Sequence, residues 1–208
     1  VSVATPVYMA VCAGMVIVTF QDLADWTIPN DITLPGIPIG ILLGLGGMVL
    51  GADSGLRVTD VFDALAGAAL GGGILFALDR ITVLLLKKPG MGFGDVKLLA
   101  MLGAFLGWKG ALGILMLASI LGSVVGLAML GWLRARGKTP AAPPADPASD
   151  PPEAIAGGGD EEITLEGHYL PFGPYLAVGG LLYLFFGPEL IALYFNILQS
   201  PAGTPLLP

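Results

Sequence analysis

The sequence predicts an all-α, polytopic membrane helical bundle with about six transmembrane helices, a short terminal helix and one disordered cytoplasmic loop. Three observations carry that expectation. Of 208 residues, 55% are apolar and only 12% charged, about half the charged share of a soluble globular domain. Mean hydropathy is +0.83. Apolar runs of roughly 18 or more residues, enough to cross a hydrocarbon core about 30 Å thick, recur along the chain.

The first run, Val3 to Phe20, has no basic segment before it and no Ala-x-Ala site after it, so it reads as a span and not as a cleaved signal peptide. The second, Ile32 to Leu50, carries Pro35 and Pro38 in its opening turns, where a missing backbone donor costs least. The third, Val61 to Leu86, holds Asp79 and Arg80; as sequence neighbours on a helix they lie about 100° apart and are not expected to face each other. A polar break from Lys87 to Asp95 precedes a short run, Val96 to Trp108, whose length suits a re-entrant segment as well as a span. A long run, Gly110 to Leu133, follows, and the last stretch, Tyr169 to Leu198, is interrupted at Gly187-Pro188. Residues 139–167 are rich in Pro, Ala and acid and should form a mobile loop, because they bury too little apolar surface to offset their ordering entropy. The whole of 1–208 is expected to be one membrane-embedded domain around that loop. Glycine, 32 residues in all, reads as close helix packing.

A net charge of −7 with nine Lys and Arg excludes nucleic acid as a partner, since phosphate neutralisation needs clustered cations. The single cysteine, Cys12, excludes an internal disulfide framework and a cysteine zinc site. If all six runs cross, Lys87, Lys88, Lys97, Arg134, Arg136 and Lys138 share one side against Arg57 and Lys109 on the other. That asymmetry places the odd-numbered connections, with Asp22 and Asp95, on the cytoplasmic side of a multi-pass membrane protein.

Ionisable residues at membrane depth are functional candidates. Asp22, with Asp25 close behind, ends the first span, and Asp95 opens the fourth after a Gly-rich turn. Taken alone, Asp95 suits a helix N-cap as well as a reacting group whose neighbours Gly92 and Gly94 let backbone approach a substrate. Two carboxylates on one face suggest more. Like charges a few ångströms apart cannot both ionise, so one acts as base on a water while the other, protonated, polarises a carbonyl. Serine and metal hydrolysis lack their parts: there is no Gly-x-Ser-x-Gly or His-Glu-x-x-His, and the only histidine is His168.

The segment GMGFGDVKLLAMLGAFLGW at 90–108 resembles the Gly-x-Gly-Asp region of the prepilin peptidases, the type IV leader peptidases, which are aspartic membrane proteases. FQDLADWTIPNDITLPG at 20–36 is similar to their first aspartate segment, and LPFGPYLAVGGLL at 170–182 to their closing span. The three stand in family order and cover most of the chain outside 139–167. The resemblance implies that Asp22 and Asp95 are the catalytic pair, that Gly92 and Gly94 belong to the signature, and that Ile28, Pro29 and Asn30 match a family turn. Asn30 and Asp25 are then candidates for substrate binding beside the two glycines. It further implies cleavage of the basic leader from prepilins or pseudopilins at the cytoplasmic face of the bacterial inner membrane, within the lipid bilayer, with neither metal nor organic cofactor. Many members also carry an N-terminal extension with methyltransferase activity and cysteine pairs. A chain that starts at the first aspartate-bearing span fits a peptidase-only form or a fragment. Between Asp22 and Pro29, basic side chains often found in the family give way to Leu-Ala-Asp-Trp-Thr.

The rival expectation is a non-enzymatic ion- or proton-coupled transporter that uses Asp22, Asp79, Arg80 and Asp95 as a relay. A relay spreads carboxylates across the bilayer depth, whereas a protease brings two together near one face. The presenilin type of Gly-x-Gly-Asp protease is marked by Tyr-Asp and Pro-Ala-Leu motifs, and neither occurs here.

Overall fold

In a computed structural model the described residues are 4–25, 27–51, 54–87, 92–136 and 172–199. They are all-helical, in five helices: α1 (Ala4–Asp25), α2 (Asn30–Leu50), α3 (Val61–Leu86), α4 (Phe93–Ala135) and α5 (Gly173–Gln199). Four of these, α1 to α4, hold stretches long and apolar enough to cross a membrane. The expected separate runs 96–108 and 110–133 lie within α4, which a kink divides into two helical stretches. The loop expected at 139–167 lies outside the described residues.

The joint inside α4 is Gly107, whose φ of 76° and ψ of 178° interrupt the helix. Such backbone is open to glycine and strained for any L side chain. The chain reverses there. A methyl at Gly103 would lie 3.2 Å from the Ala111 Cβ, whereas residues eight apart on a straight helix are separated by about 12 Å. The new helical stretch needs a cap, and it comes from another element. Asp63, in the first turn of α3, accepts a hydrogen bond from the Trp108 amide at 3.2 Å. Asp63 is itself held by Asp60, the N-cap of α3, whose carboxylate accepts from the Asp63 amide at 2.7 Å.

The chain forms two compact units, Val1–Gly122 with Pro171–Pro208, and Ser123–Leu170. In the first, the opening half of α4 is the centre. Val96, Leu98, Leu99, Met101, Leu102, Ala104, Phe105 and Leu106 are all buried, and a helix apolar on every side belongs inside a bundle. Glycines let the neighbours close in. Gly36 and Gly40 of α2 rest on Met101 and Ala104, and Gly71 of α3 rests on the Leu99 backbone. Gly67 of α3 meets Gly103 backbone to backbone, an approach that any side chain on either residue would prevent. Helix α5 packs Gly180 on Met15 of α1 and on Leu102, and its Tyr183 on Gly110 and Gly113. Outward-facing residues are apolar too: Val49, Leu84 and Leu85 are more than three-quarters exposed, as suits contact with lipid.

In the second unit the described residues continue α4 from Ser123 and end with the Arg136 guanidinium 3.9 Å over the Trp132 ring.

Two local expectations need correction. Asp79 and Arg80 do meet: the long arginine bends back, its Nε 3.9 Å from Asp79 Oδ2 and its guanidinium 4.9 Å over the Phe76 ring. Asp95 is not the cap of α4, because the helix already begins at Phe93 and the Asp95 amide donates to the Gly92 carbonyl at 3.1 Å.

Candidate active site

Helix directions bring the chemistry to one end of the first unit. Asp22 is in the last turn of α1, Asp95 in the first turn of α4, and Gly173 opens α5. The α1–α2 connection closes over them. Pro29, at φ −66° and ψ 127°, precedes α2, and its carbonyl accepts from the Thr33 hydroxyl at 3.1 Å and from the Thr33 amide at 3.3 Å. The side chain of Ile28 then fits between two helix starts. A methyl at Gly94 would lie 2.9 Å from the Ile28 Cβ, and one at Gly173 would lie 3.2 Å from its Cδ1.

Asp22 and Asp95 are the two buried carboxylates among the described residues, at 5% and 7% exposure. They are near enough for the charge of Asp22 to act on Asp95. Isolated charges are not buried side by side in this way without strong cost, so the pair is the feature of this end that calls for a chemical explanation. Gly173 stands against the Asp22 carboxyl, where a methyl would overlap Oδ2. Oδ2 of Asp22 is buried with no hydrogen-bond partner among the described residues. A methyl at Gly92 would meet Asp95 Oδ2 at 3.7 Å, ordinary van der Waals contact.

The remaining expected site residues lie around this pair. Asn30, the first residue of α2, accepts a hydrogen bond from the Lys97 ammonium, which also sits 5.1 Å over the Phe93 ring. Asp25 ends α1 and is exposed, as is Asp31 in the first turn of α2. Gly94 gives its open side to Ile28. Lys97, Ile28 and Gly173 were not singled out for a role at the pair in the sequence, although all three stand inside the quoted segments; their signal was position within a motif, and their partners are long-range. No group of three or more His, Cys, Asp or Glu side chains among the described residues is arranged to hold a metal ion. A cavity of about 600 Å³ opens at the other end of this unit, lined by Arg57, Asp60, Asp63, Trp108, Lys109 and Tyr183, away from Asp22 and Asp95.

Beyond this geometry, the chain has relatives among known proteins. Residues 9–127 match the profile of the type IV leader peptidase family, and the chain belongs to that family. It is 33% identical over 187 residues to a prepilin leader peptidase/N-methyltransferase of Aeromonas salmonicida strain A449, an alignment that covers 88% of this chain and 50% of that protein. The protein of the same name from Myxococcus xanthus strain DK1622 is 31% identical over 210 residues, covering 85% of this chain and 60% of that one. The Pseudomonas aeruginosa PAO1 protein of that name is 29% identical over 181 residues, covering 87% and 49%. The chain therefore spans about half the length of the curated relatives it matches. No solved structure matches it significantly.

Proposed function

We propose that this multi-pass membrane protein is an aspartic endopeptidase that removes the basic leader of type IV prepilins or pseudopilins, with Asp22 and Asp95 as its catalytic pair. The observation that carries the reading is the burial of these two carboxylates within electrostatic reach of each other at one end of the bundle. Family membership supports the substrate class.

The chemistry needs only the two side chains and water. The ionised carboxylate takes a proton from a water as its oxygen attacks the scissile carbonyl carbon, and the protonated partner donates to the carbonyl oxygen as it gains charge. The tetrahedral adduct then collapses: the former carbonyl oxygen returns its proton to the partner carboxylate as the C=O bond re-forms, the C–N bond breaks, and the leaving amine receives the proton that the base had taken. Neither metal nor organic cofactor enters this scheme. The basic residues clustered beside the odd-numbered connections support a cytoplasmic position for the site at the bacterial inner membrane. Gly92, without a side chain, leaves the approach to Asp95 open to a substrate backbone, while Asn30 and the exposed Asp25 border the path of a leader.

A transporter relay would need titratable groups between the two ends. Between them, the described core is Met15, Val18, Leu98, Leu99, Leu102 and Leu176, all apolar and fully buried. The direct test is cleavage of a model prepilin in membranes. Asp22→Asn and Asp95→Asn should each lower turnover by a factor on the order of 10³ or more, and the double variant should lose no more than either single one, because the two act as a unit. Near wild-type cleavage by a correctly inserted Asp22→Asn protein would refute the pair.

A further inference from the structure

Helix α5 begins where α1 ends its useful length, and the junction is tighter than packing alone requires. A methyl at Gly173 would overlap Asp22 Oδ2, stand 3.0 Å from its Cγ and press on Ile28. The carboxyl occupies the place of a side chain. The first amides of a helix have no carbonyl within it to bond, and they lie at the positive end of its dipole. In α5 the amides of Tyr175 and Leu176 are taken by the Phe172 carbonyl, each at 3.1 Å. Gly173 itself stands against the Asp22 carboxyl, with no room for a side chain between them. At the same place Oδ2 of Asp22, on a side chain 95% buried, has no hydrogen-bond partner among the described residues, although Asp22 is aimed into this helix start.

The geometry points to Gly173 as a positioning residue for Asp22: the opening residue of α5, having no side chain, leaves the α1 carboxyl the one place from which it acts with Asp95. The inference rests on Asp22 being one of the catalytic pair. It gives the segment LPFGP a role in aligning a reacting group, beyond that of starting a closing helix. Ile28 completes the seat, since it packs against both Gly94 and Gly173 and so links the starts of α4 and α5 across the carboxyl.

The test uses the full chain in membranes with a model prepilin bearing a Lys-rich leader. Gly173→Ala should lower kcat about 100-fold, the scale on which small misplacements of catalytic groups act, while KM changes less than twofold. The acid limb of its pH–rate profile should move as well, because the added methyl displaces the carboxyl from the surroundings that set its ionisation. A purely structural role would reduce the amount of folded protein and leave that limb where it was. Wild-type kcat with an unmoved limb in Gly173→Ala, alongside an inactive Asp22→Asn, would overturn the positioning role and leave the pair standing. An active Asp22→Asn would instead overturn the reading of the pair. If Gly173→Ala does not fold, Ile28→Ala frees space beside the new methyl, and the double variant is compared with Ile28→Ala alone. The same fall in kcat and the same shift of the limb support the proposal, and equal behaviour of the two refutes it.

Discussion

The three carboxylates at the α1–α2 connection differ in what surrounds them, and the difference sorts their work. Asp22 is enclosed by α5 and Ile28, whereas Asp25 and Asp31 are exposed. Exposed charges act on the encounter with a partner more than on the reacting atoms, and salt screens them beyond about 8 to 10 Å. Replacing Asp25 and Asp31 together by Asn should raise KM for a Lys-rich leader roughly threefold at low ionic strength, because an exposed charge pair contributes about 0.2 to 1 kcal/mol. The salt dependence of KM should flatten and kcat should stay as it is, which steady-state kinetics over a salt series will show. An unchanged KM and salt slope would make the two residues simple solvated acids. At this scale the two aspartates stood out beforehand as candidates, because residues in distinctive segments are local facts. The partners were not. Nothing near Asp22 in the chain announces Gly173, 151 positions later, and Asp95 alone resembled a cap until the start of α4 at Phe93 left it inside the helix.

Among the elements, α4 holds a sharp corner, and one residue accounts for it. Hydropathy divided the region at Lys109, the charge between two apolar runs. The backbone divides it at Gly107, because only glycine takes that conformation without strain and because Asp63 occupies the space beside it, with its Oδ2 2.5 Å from where a side chain would begin. Periodicity reads burial and length; it does not see a corner whose cap comes from another helix. Gly107→Ala should destabilise the fold by about 1 to 3 kcal/mol through backbone strain, and more if Asp63 is displaced from the Trp108 amide. Asp63→Asn, which keeps an acceptor there, should cost less than Asp63→Ala, by about 1 kcal/mol. Thermal unfolding in a fixed detergent ranks the three, and the order reverses if Asp63 is only a surface acid. Helices α1 to α3 began and ended close to their apolar runs, since polar breaks at 21–31, 51–60 and 87–95 are plain in the sequence, whereas α5 runs on through Gly187-Pro188, where an interruption and a separate short terminal helix were expected.

For the whole molecule, burial runs opposite to that of a protein folded in water. The first half of α4 is wrapped by neighbours while large apolar residues such as Phe62, Val49 and Leu84 face outward. Stability in such a bundle rests on close contact and on backbone hydrogen bonds that lipid cannot replace. Amides from Leu98 to Leu106 should therefore exchange with deuterium most slowly in a bilayer mimic, and those at the exposed end of α2, from Met48 to Leu50, faster. Uniform exchange along both stretches would show that the centre is not protected by its neighbours. The overall class was readable from composition because solvent preference is a property of the whole chain, while the assembly of one helix inside four others is set by small-residue contacts far apart in sequence.

The two linked carboxylates that start α3 and restart α4 also bear on time. Asp60 fastens Asp63, and Asp63 fastens Trp108, so the returning half of α4 finds its anchor only on a helix made some forty residues earlier. A chain inserted from its N-terminus has that anchor already waiting when Gly107 leaves the ribosome. A circular permutant that began at α4 would have to hold its hairpin open until α3 arrived.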